Sequence, residues 1–466
     1  MNTIKNKLLY IFPIVFSIIT LIISLLRIPF WDETHAFEIA RLNIFEILYM
    51  TRIEGHYLLW YLILKPFSSI SLYPYSMLII NWLFCVGAIF VLWIKSPFDN
   101  LEKILITFSS PFVFYFAPVA RCYSIGIFFL FLICALFKNR YKKHCLFSWL
   151  LLICSNTSLM AFVSCFYIWL IYLFQLFKKK SKKIKTCLLF FIANFILFLI
   201  QFFNVKRPYM KDSDRQNYVD LLFNMVVIPR ADSIIHFIFN LCVFVFFYYL
   251  IFYLFKKSKY ALFYMLSTFL TLTSIFVFVF HGSLWNYYFY FVFSIVLFWI
   301  FYRQIAINKF LKCLITIILV FLCLLFCLYK NKTFETTYSS KSKLIAEDVI
   351  NNVNLDNVNL YCLEWWSDIS PASDIYLKKA GIDVLDINGY KRTSFDSIKN
   401  IFEYKIMPVD LDKFYNSLDR SKKNYIITDG TLFYVDILRN HTDYLLKLVY
   451  ENLDIGFSIY ELVKKY

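Results

Sequence analysis

Two carboxylates and a histidine fall within four residues in Asp32-Glu33-Thr34-His35, directly after a long apolar run. A carboxylate held against apolar surface is pushed toward its protonated form and becomes able to take a proton from an attacking hydroxyl. The same Asp32 spacing also caps the helix-like run that follows, Ala36 to Leu42. A second acid and histidine come at Glu54-Gly55-His56, beside the aromatic run Tyr57-Leu58-Leu59-Trp60-Tyr61. That run is too short to span a bilayer and has the composition of a helix lying in the interface. Farther on, Arg121 and Tyr123 fall at a tight turn between two apolar segments, where a guanidinium suits phosphate oxygens or snorkels to headgroups. Lys206, Arg207 and His281 complete the polar candidates. A reaction that leaves a phosphate behind needs such a set: one proton acceptor and several cations.

The elements that must position these groups are membrane helices. The chain has 466 residues, 60% of them hydrophobic and 21% aromatic, with only 8 Gly. A soluble domain sits near half apolar, so the excess signals membrane spans. About eleven are expected, near 8–27, 75–94, 104–119, 122–137, 146–157, 159–177, 186–203, 233–255, 260–280, 284–302 and 310–329. The first follows Lys5 and Lys7, has no small-residue cleavage site and reads as a retained signal anchor.

The net charge of +17 is distributed in a way that excludes a nucleic-acid groove. Residues 1–330 hold 31 Lys and Arg against 11 Asp and Glu, whereas residues 331–466 hold 17 against 20. The cations cluster in short breaks, such as Lys138 to Lys143 and Lys178 to Lys185. If the spans alternate from a cytoplasmic N-terminus, all these clusters fall inside. The loops 28–74 and 204–232 and the tail then fall outside. This topology requires 146–177 to cross twice in 32 residues, turning near Ser155-Asn156-Thr157. The acids avoid the span interiors.

Residues 331–466 change character. Strands are expected at Asn359–Trp365, Ile382–Ile387, Tyr425–Thr428, Leu446–Tyr450 and Phe457–Leu462. Helices are expected at Ser373–Lys379, Phe395–Tyr404, Leu411–Leu418 and Leu432–Asn440. The alternation predicts a small extracytoplasmic α/β domain, without a Gly-rich phosphate loop. The chain is therefore read as a membrane module over 1–330 and an α/β domain over 331–466. The 12 Cys lie mostly in apolar runs, where they act as small hydrophobes. Asp212 and Asp214 are two acids where a metal site wants more, so no cofactor is required and a divalent metal stays open.

The order Trp31-Asp32-Glu33-Thr34, then Glu38-Ile39-Ala40-Arg41, then an aromatic interfacial helix, resembles the membrane glycosyltransferases of the C-type fold. The aminoarabinose transferases of lipid A and the bacterial relatives of protein O-mannosyltransferases are the groups it is most similar to. The resemblance runs from the first span to about Phe177 and returns more weakly around 281–303. It implies an inverting displacement on a polyprenyl-phosphate sugar, with a lipid, glycan or protein as acceptor. On this resemblance Asp32, with Glu33 beside it, carries the catalysis, and Arg121, Tyr123 and His281 bind substrate. His35, Glu54 and His56 at the membrane surface and the outer-loop cations Lys206 and Arg207 are read from their own positions as further substrate contacts. The chain departs from the pattern at His35, where aminoarabinose transferases carry Arg, and at Glu54-Gly55-His56-Tyr57, where they carry Glu-Lys-Pro-Pro. Relatives also often carry an Arg-His pair where this chain has Phe280-His281. Two other classes compete, a flippase for lipid-linked glycan and a polysaccharide polymerase. A flippase would want ionisable residues inside its spans. The Lys-, Asn-, Ile- and Phe-rich composition fits a bacterial cytoplasmic membrane.

Overall fold

Aliphatic and aromatic runs broken only by short polar turns fold as helices, because a backbone in hydrocarbon must satisfy its own hydrogen bonds. In a computed structural model of the chain, α1 covers Asn2–Leu26, α2 Trp31–Arg41, α3 Ile44–Glu54, α4 Leu58–Ser68 and α5 Tyr75–Lys95. Next come α6 (Asn100–Thr107), a π-helix (Pro111–Phe116), α7 (Tyr123–Phe137), α8 (His144–Ser155), α9 (Leu159–Lys178) and α10 (Ile184–Phe202). The helical part closes with α11 (Ile234–Lys257), α12 (Lys259–Phe278), α13 (Leu284–Ile305) and α14 (Lys309–Leu328). The structure describes residues 2–29, 31–54, 57–68, 75–202, 234–278, 284–305, 309–328, 341–362, 377–378, 380–386, 414–415, 418–419, 421–428, 444–454 and 456–464.

Among the described residues, helix occurs within every stretch expected to span. Among the described residues, five helices are long and apolar enough to cross a bilayer by length and composition. The stretch 104–119 is not one rod but α6 followed by the π-helix. Asp99 caps α6 by accepting from the Glu102 backbone N–H, and Glu102 reciprocates. The stretch 146–177 does reverse. Phe147 near the start of α8 stacks edge-on to Tyr172 near the end of α9, with ring centroids 5.1 Å apart. Ser158 caps α9 by accepting from the Ala161 N–H at 3.2 Å.

Inside this bundle, hydroxyl pairs join helices where lipid offers no water. Ser164 and Tyr264 lie 2.6 Å apart, Tyr167 and Thr271 2.6 Å, and Thr273 and Tyr290 2.7 Å.

The tail forms helix α15 (Ser342–Asn352) and strands β1 (Val358–Cys362), β2 (Val384–Leu385), β3 (Lys423–Thr428), β4 (Tyr444–Asn452) and β5 (Phe457–Lys464). The sheet order is β2-β1-β3-β5-β4. β1 pairs parallel with β2 and β3, and β5 pairs antiparallel with β3 and β4. Alternate residues face two cores. Leu360, Cys362, Tyr425 and Ile427 pack with Ile345, Ala346 and Val349 of α15. Tyr361 and Ile426 pack with Phe414, Tyr415 and Leu418 on the other face. All five expected strands are present, which bears out the helical membrane protein with a small C-terminal α/β part. The helix α15 was not anticipated. The expected helices Phe395–Tyr404 and Leu432–Asn440, and most of Ser373–Lys379 and Leu411–Leu418, lie outside the described residues.

The chain divides into two compact units. One comprises Met1–Leu25, Gly55–Trp60 and Met77–Lys330; the other comprises Leu26–Glu54, Tyr61–Ser76 and Asn331–Tyr466. The segment bearing Asp32 therefore belongs with the C-terminal sheet, in the second unit.

Candidate functional site

Asp32 and Glu33 occupy the first turn of α2, where carboxylates complement the helix dipole. Their surroundings separate them. Glu33 is fully buried and is gripped from both oxygens by the Arg27 guanidinium. Arg27 Nη1 donates to Glu33 Oε1 at 2.7 Å, and Nη2 donates to Oε2. This fork-to-fork pair ties the start of α2 to the segment before it across Pro29. Asp32 is half-buried and stands one position away.

Helical spacing places Asp32, His35, Glu38 and Arg41 three residues apart, so each neighbours the next along a strip that winds about halfway round α2. His35 and Glu38 are buried. Glu38 accepts from Arg41 Nη1 at 2.9 Å. Burial raises the Glu38 carboxyl above its ordinary value near 4.5; the charges of Arg41, Lys378 and His35 offset that only in part. The strip is closed by α4. Arg41 Nε donates to the Ser68 carbonyl at 3.3 Å, and Lys65 Nζ donates to the Leu42 carbonyl.

The Glu38 shift has a testable sign. A carboxyl whose pKa is raised by folding holds its proton in the native state after the unfolded chain has lost it. Stability therefore falls as pH rises from about 4.5 through the raised native value. Thermal midpoints measured across that range should decline for the parent chain. The same decline should be absent in Glu38→Gln; an unchanged slope would remove Glu38 as its source.

In the other unit, Arg121 sits in the turn that follows the π-helix. A π-helix shifts backbone pairing to i→i+5, seen in Ala117 N–H to the Phe112 carbonyl at 3.2 Å. The carbonyls left over are met by side chains. Asn81 Nδ2 donates to both the Phe116 and Ala117 carbonyls at 2.9 Å, and the Ser124 hydroxyl donates to Phe116. Arg121 is buried in this pinned turn, and its N–H reaches the Val119 carbonyl at 2.9 Å. Tyr123 packs edge-on to Phe289 at 5.6 Å. Below it, a Cβ on Gly126 would lie 2.8 Å from Thr157 Oγ1, so glycine lets α7 close on the α8–α9 turn.

The structure thus groups Asp32, Glu33 and His35 on α2 and groups Arg121 with Tyr123 at the π-helix turn. Glu54 ends α3, and its side chain lies outside the described residues, as do His56, Lys206, Arg207 and His281. Sequence reasoning missed Arg27, Asn81 and the Glu38–Arg41 pair. Arg27 did carry a signal: a cation at the end of the first span opposite Lys5 and Lys7 breaks the charge rule and invites a partner. Among the described residues, no group of three or more His, Cys, Asp or Glu could hold a metal ion.

The backbone as a whole matches the crystal structure of ArnT from Cupriavidus metallidurans bound to undecaprenyl phosphate. The match has a TM-score of 0.57 and covers 97% of this chain and 97% of that one, at 10% sequence identity. The chain has the C-type glycosyltransferase fold. The C-type fold accounts for the helical bundle and for the small sheet at the C-terminus, because the match runs through both. At this identity it is a likeness of fold and transfers no residue roles. No family sequence model and no curated protein sequence matches the chain.

Proposed function

We propose that the chain is a multi-pass membrane glycosyltransferase that takes its sugar from a polyprenyl-phosphate donor. It passes the sugar to a lipid, glycan or protein acceptor. The observation that carries this reading is the C-type fold shared along nearly the whole length of a protein crystallised with undecaprenyl phosphate. The Asp-Glu pair in the first turn of α2 supports it.

In this reading the acceptor hydroxyl gives its proton to Asp32 and attacks the anomeric carbon. The bond from that carbon to the phosphate oxygen breaks, and polyprenyl phosphate leaves with the electron pair. Attack from the opposite face inverts the configuration. Glu33, held by Arg27, fixes the start of α2 and so positions Asp32. Arg121 stabilises the phosphate, together with the outer-loop cations Lys206 and Arg207. His35, Glu54, His56, Tyr123 and His281 complete the substrate contacts. The charge rule orients the chain with its N-terminus in the cytoplasm and residues 331–466 outside. In that orientation a membrane-anchored donor meets an acceptor from the cell surface.

Purified chain in vesicles, supplied with a panel of radiolabelled polyprenyl-phosphate sugars, tests the reading directly. Release of sugar to acceptor or water with formation of polyprenyl phosphate is expected from one donor. Lipid-linked glycan crossing the vesicle wall without any turnover would replace the transferase with a flippase. Arg121→Lys keeps the charge but loses the planar fork, and Arg121→Ala loses both. Transfer should fall about a hundredfold in the alanine variant, the usual loss of one anion-stabilising donor. Equal rates in all three would take Arg121 out of the reaction.

A further inference from the structure

A second polar assembly lies at the opposite end of α7 from Arg121. The turns 138–143 and 178–185 contain ten Lys and Arg and not one Asp or Glu. They are distant in sequence, and the structure joins them. Arg140 Nη2 donates to Gln175 Oε1 at 2.7 Å, and Lys183 Nζ reaches the Tyr141 carbonyl at 2.5 Å. The guanidinium of Arg140 lies 4.0 Å from the Phe137 ring and 4.5 Å from the Tyr141 ring. Lys179 Nζ stands 3.9 Å from the same Tyr141 ring. Tyr260 against Phe174, at 6.2 Å, brings the start of α12 alongside, next to Lys256 and Lys257.

All these cations are met by neutral groups: ring faces, carbonyls and an amide. Among the described residues none of the ten forms an ion pair with a carboxylate. Lys138, Lys142, Lys143, Lys178, Lys179, Lys180, Lys182 and Lys185 are exposed. So many like charges on one short rim repel one another unless anions are supplied from outside. The rim sits where apolar helices end, beside an aromatic collar of Phe137, Tyr141 and Tyr172, a pattern that belongs at the depth of lipid headgroups. The anions at that depth are lipid phosphates.

We infer that this rim is a preorganised binding surface for anionic phospholipid headgroups of the leaflet it faces. Arg140, spent on Gln175 and two rings, shapes the platform; the exposed lysines bind. This surface is independent of the transferase reading.

The test is lipid selectivity of the full chain reconstituted with spin-labelled phosphatidylglycerol or phosphatidylcholine, comparing the immobilised fraction of each. The parent chain should prefer phosphatidylglycerol by about fivefold, the attraction of a single surface cation. The variant Lys142→Gln/Lys143→Gln/Lys179→Gln/Lys182→Gln should approach no preference. A variant neutralised at Lys423, Lys447 and Lys464 in the C-terminal strands should keep it. Raising the salt to about 1 M, where screening acts within about 3 Å, should shrink the preference in the parent chain. That arm stands even if the quadruple variant fails to fold. No preference in the parent, a salt-insensitive preference, or full selectivity in the quadruple variant would overturn the proposal.

Discussion

Replacing Asp32 by Asn is expected to lower sugar transfer about a thousandfold, the usual contribution of a positioned proton acceptor. The amide keeps the volume of the side chain but cannot take the acceptor's proton. Glu33 stays in the first turn with its Arg27 partner, so the start of α2 should remain intact. Transfer rate, carrier binding and helix content measured together check this. Binding and helix content should match the parent while the rate collapses. Parent-like transfer would send the search for the base to Glu54 and Glu33.

The second large effect concerns Glu33 and is expected in stability. Its carboxylate and the Arg27 guanidinium are both buried and meet through two parallel hydrogen bonds. Removing one partner breaks this buried charge pair, at a cost of about 3–5 kcal/mol. Arg27→Met and Glu33→Leu should each lower the unfolding midpoint sharply in detergent. The double variant should recover most of it, because an apolar pair of similar volume replaces a charge pair at little cost. The double variant also separates two roles for Glu33. Transfer that returns with the fold marks Glu33 as a positioning residue. Transfer that stays lost in a stable double variant gives it chemistry of its own. Additive destabilisation by the two single changes would show that they do not act as a pair.

The helical architecture was legible because its signal is long and redundant. A run such as Leu159–Lys178 has no other way to satisfy its backbone in a membrane. The five short strands were legible from alternating apolar positions, which the two packed faces of the sheet explain. The break within 104–119 was not. Pro111 begins the π-helix, but its missing N–H does not announce that the carbonyls after it will be answered by Asn81, thirty-five residues upstream. At the site, Asp32 and Glu33 read alike in sequence, as neighbouring acids. They differ in burial, and Glu33 is held by Arg27, six residues upstream. Helix α15 was missed for a local reason: Ser342-Lys343-Leu344-Ile345 follows a polar stretch, and its apolar face is filled by strands distant in sequence.

The brevity of two adjacent helices reaches beyond the protein itself. At about 1.5 Å per residue, the 15 residues of α7 and the 12 of α8 are about 22 and 18 Å long. A bilayer's hydrocarbon slab is about 30 Å thick. Where α8 exposes Leu146 and Trp149, acyl chains beside it are expected to compress or tilt to keep its turns wet. The expected consequence is a local dimple in the host membrane. Phosphates that elsewhere sit a full slab apart approach each other there, which shortens the distance any charged headgroup must move to reach polar residues set below the surface.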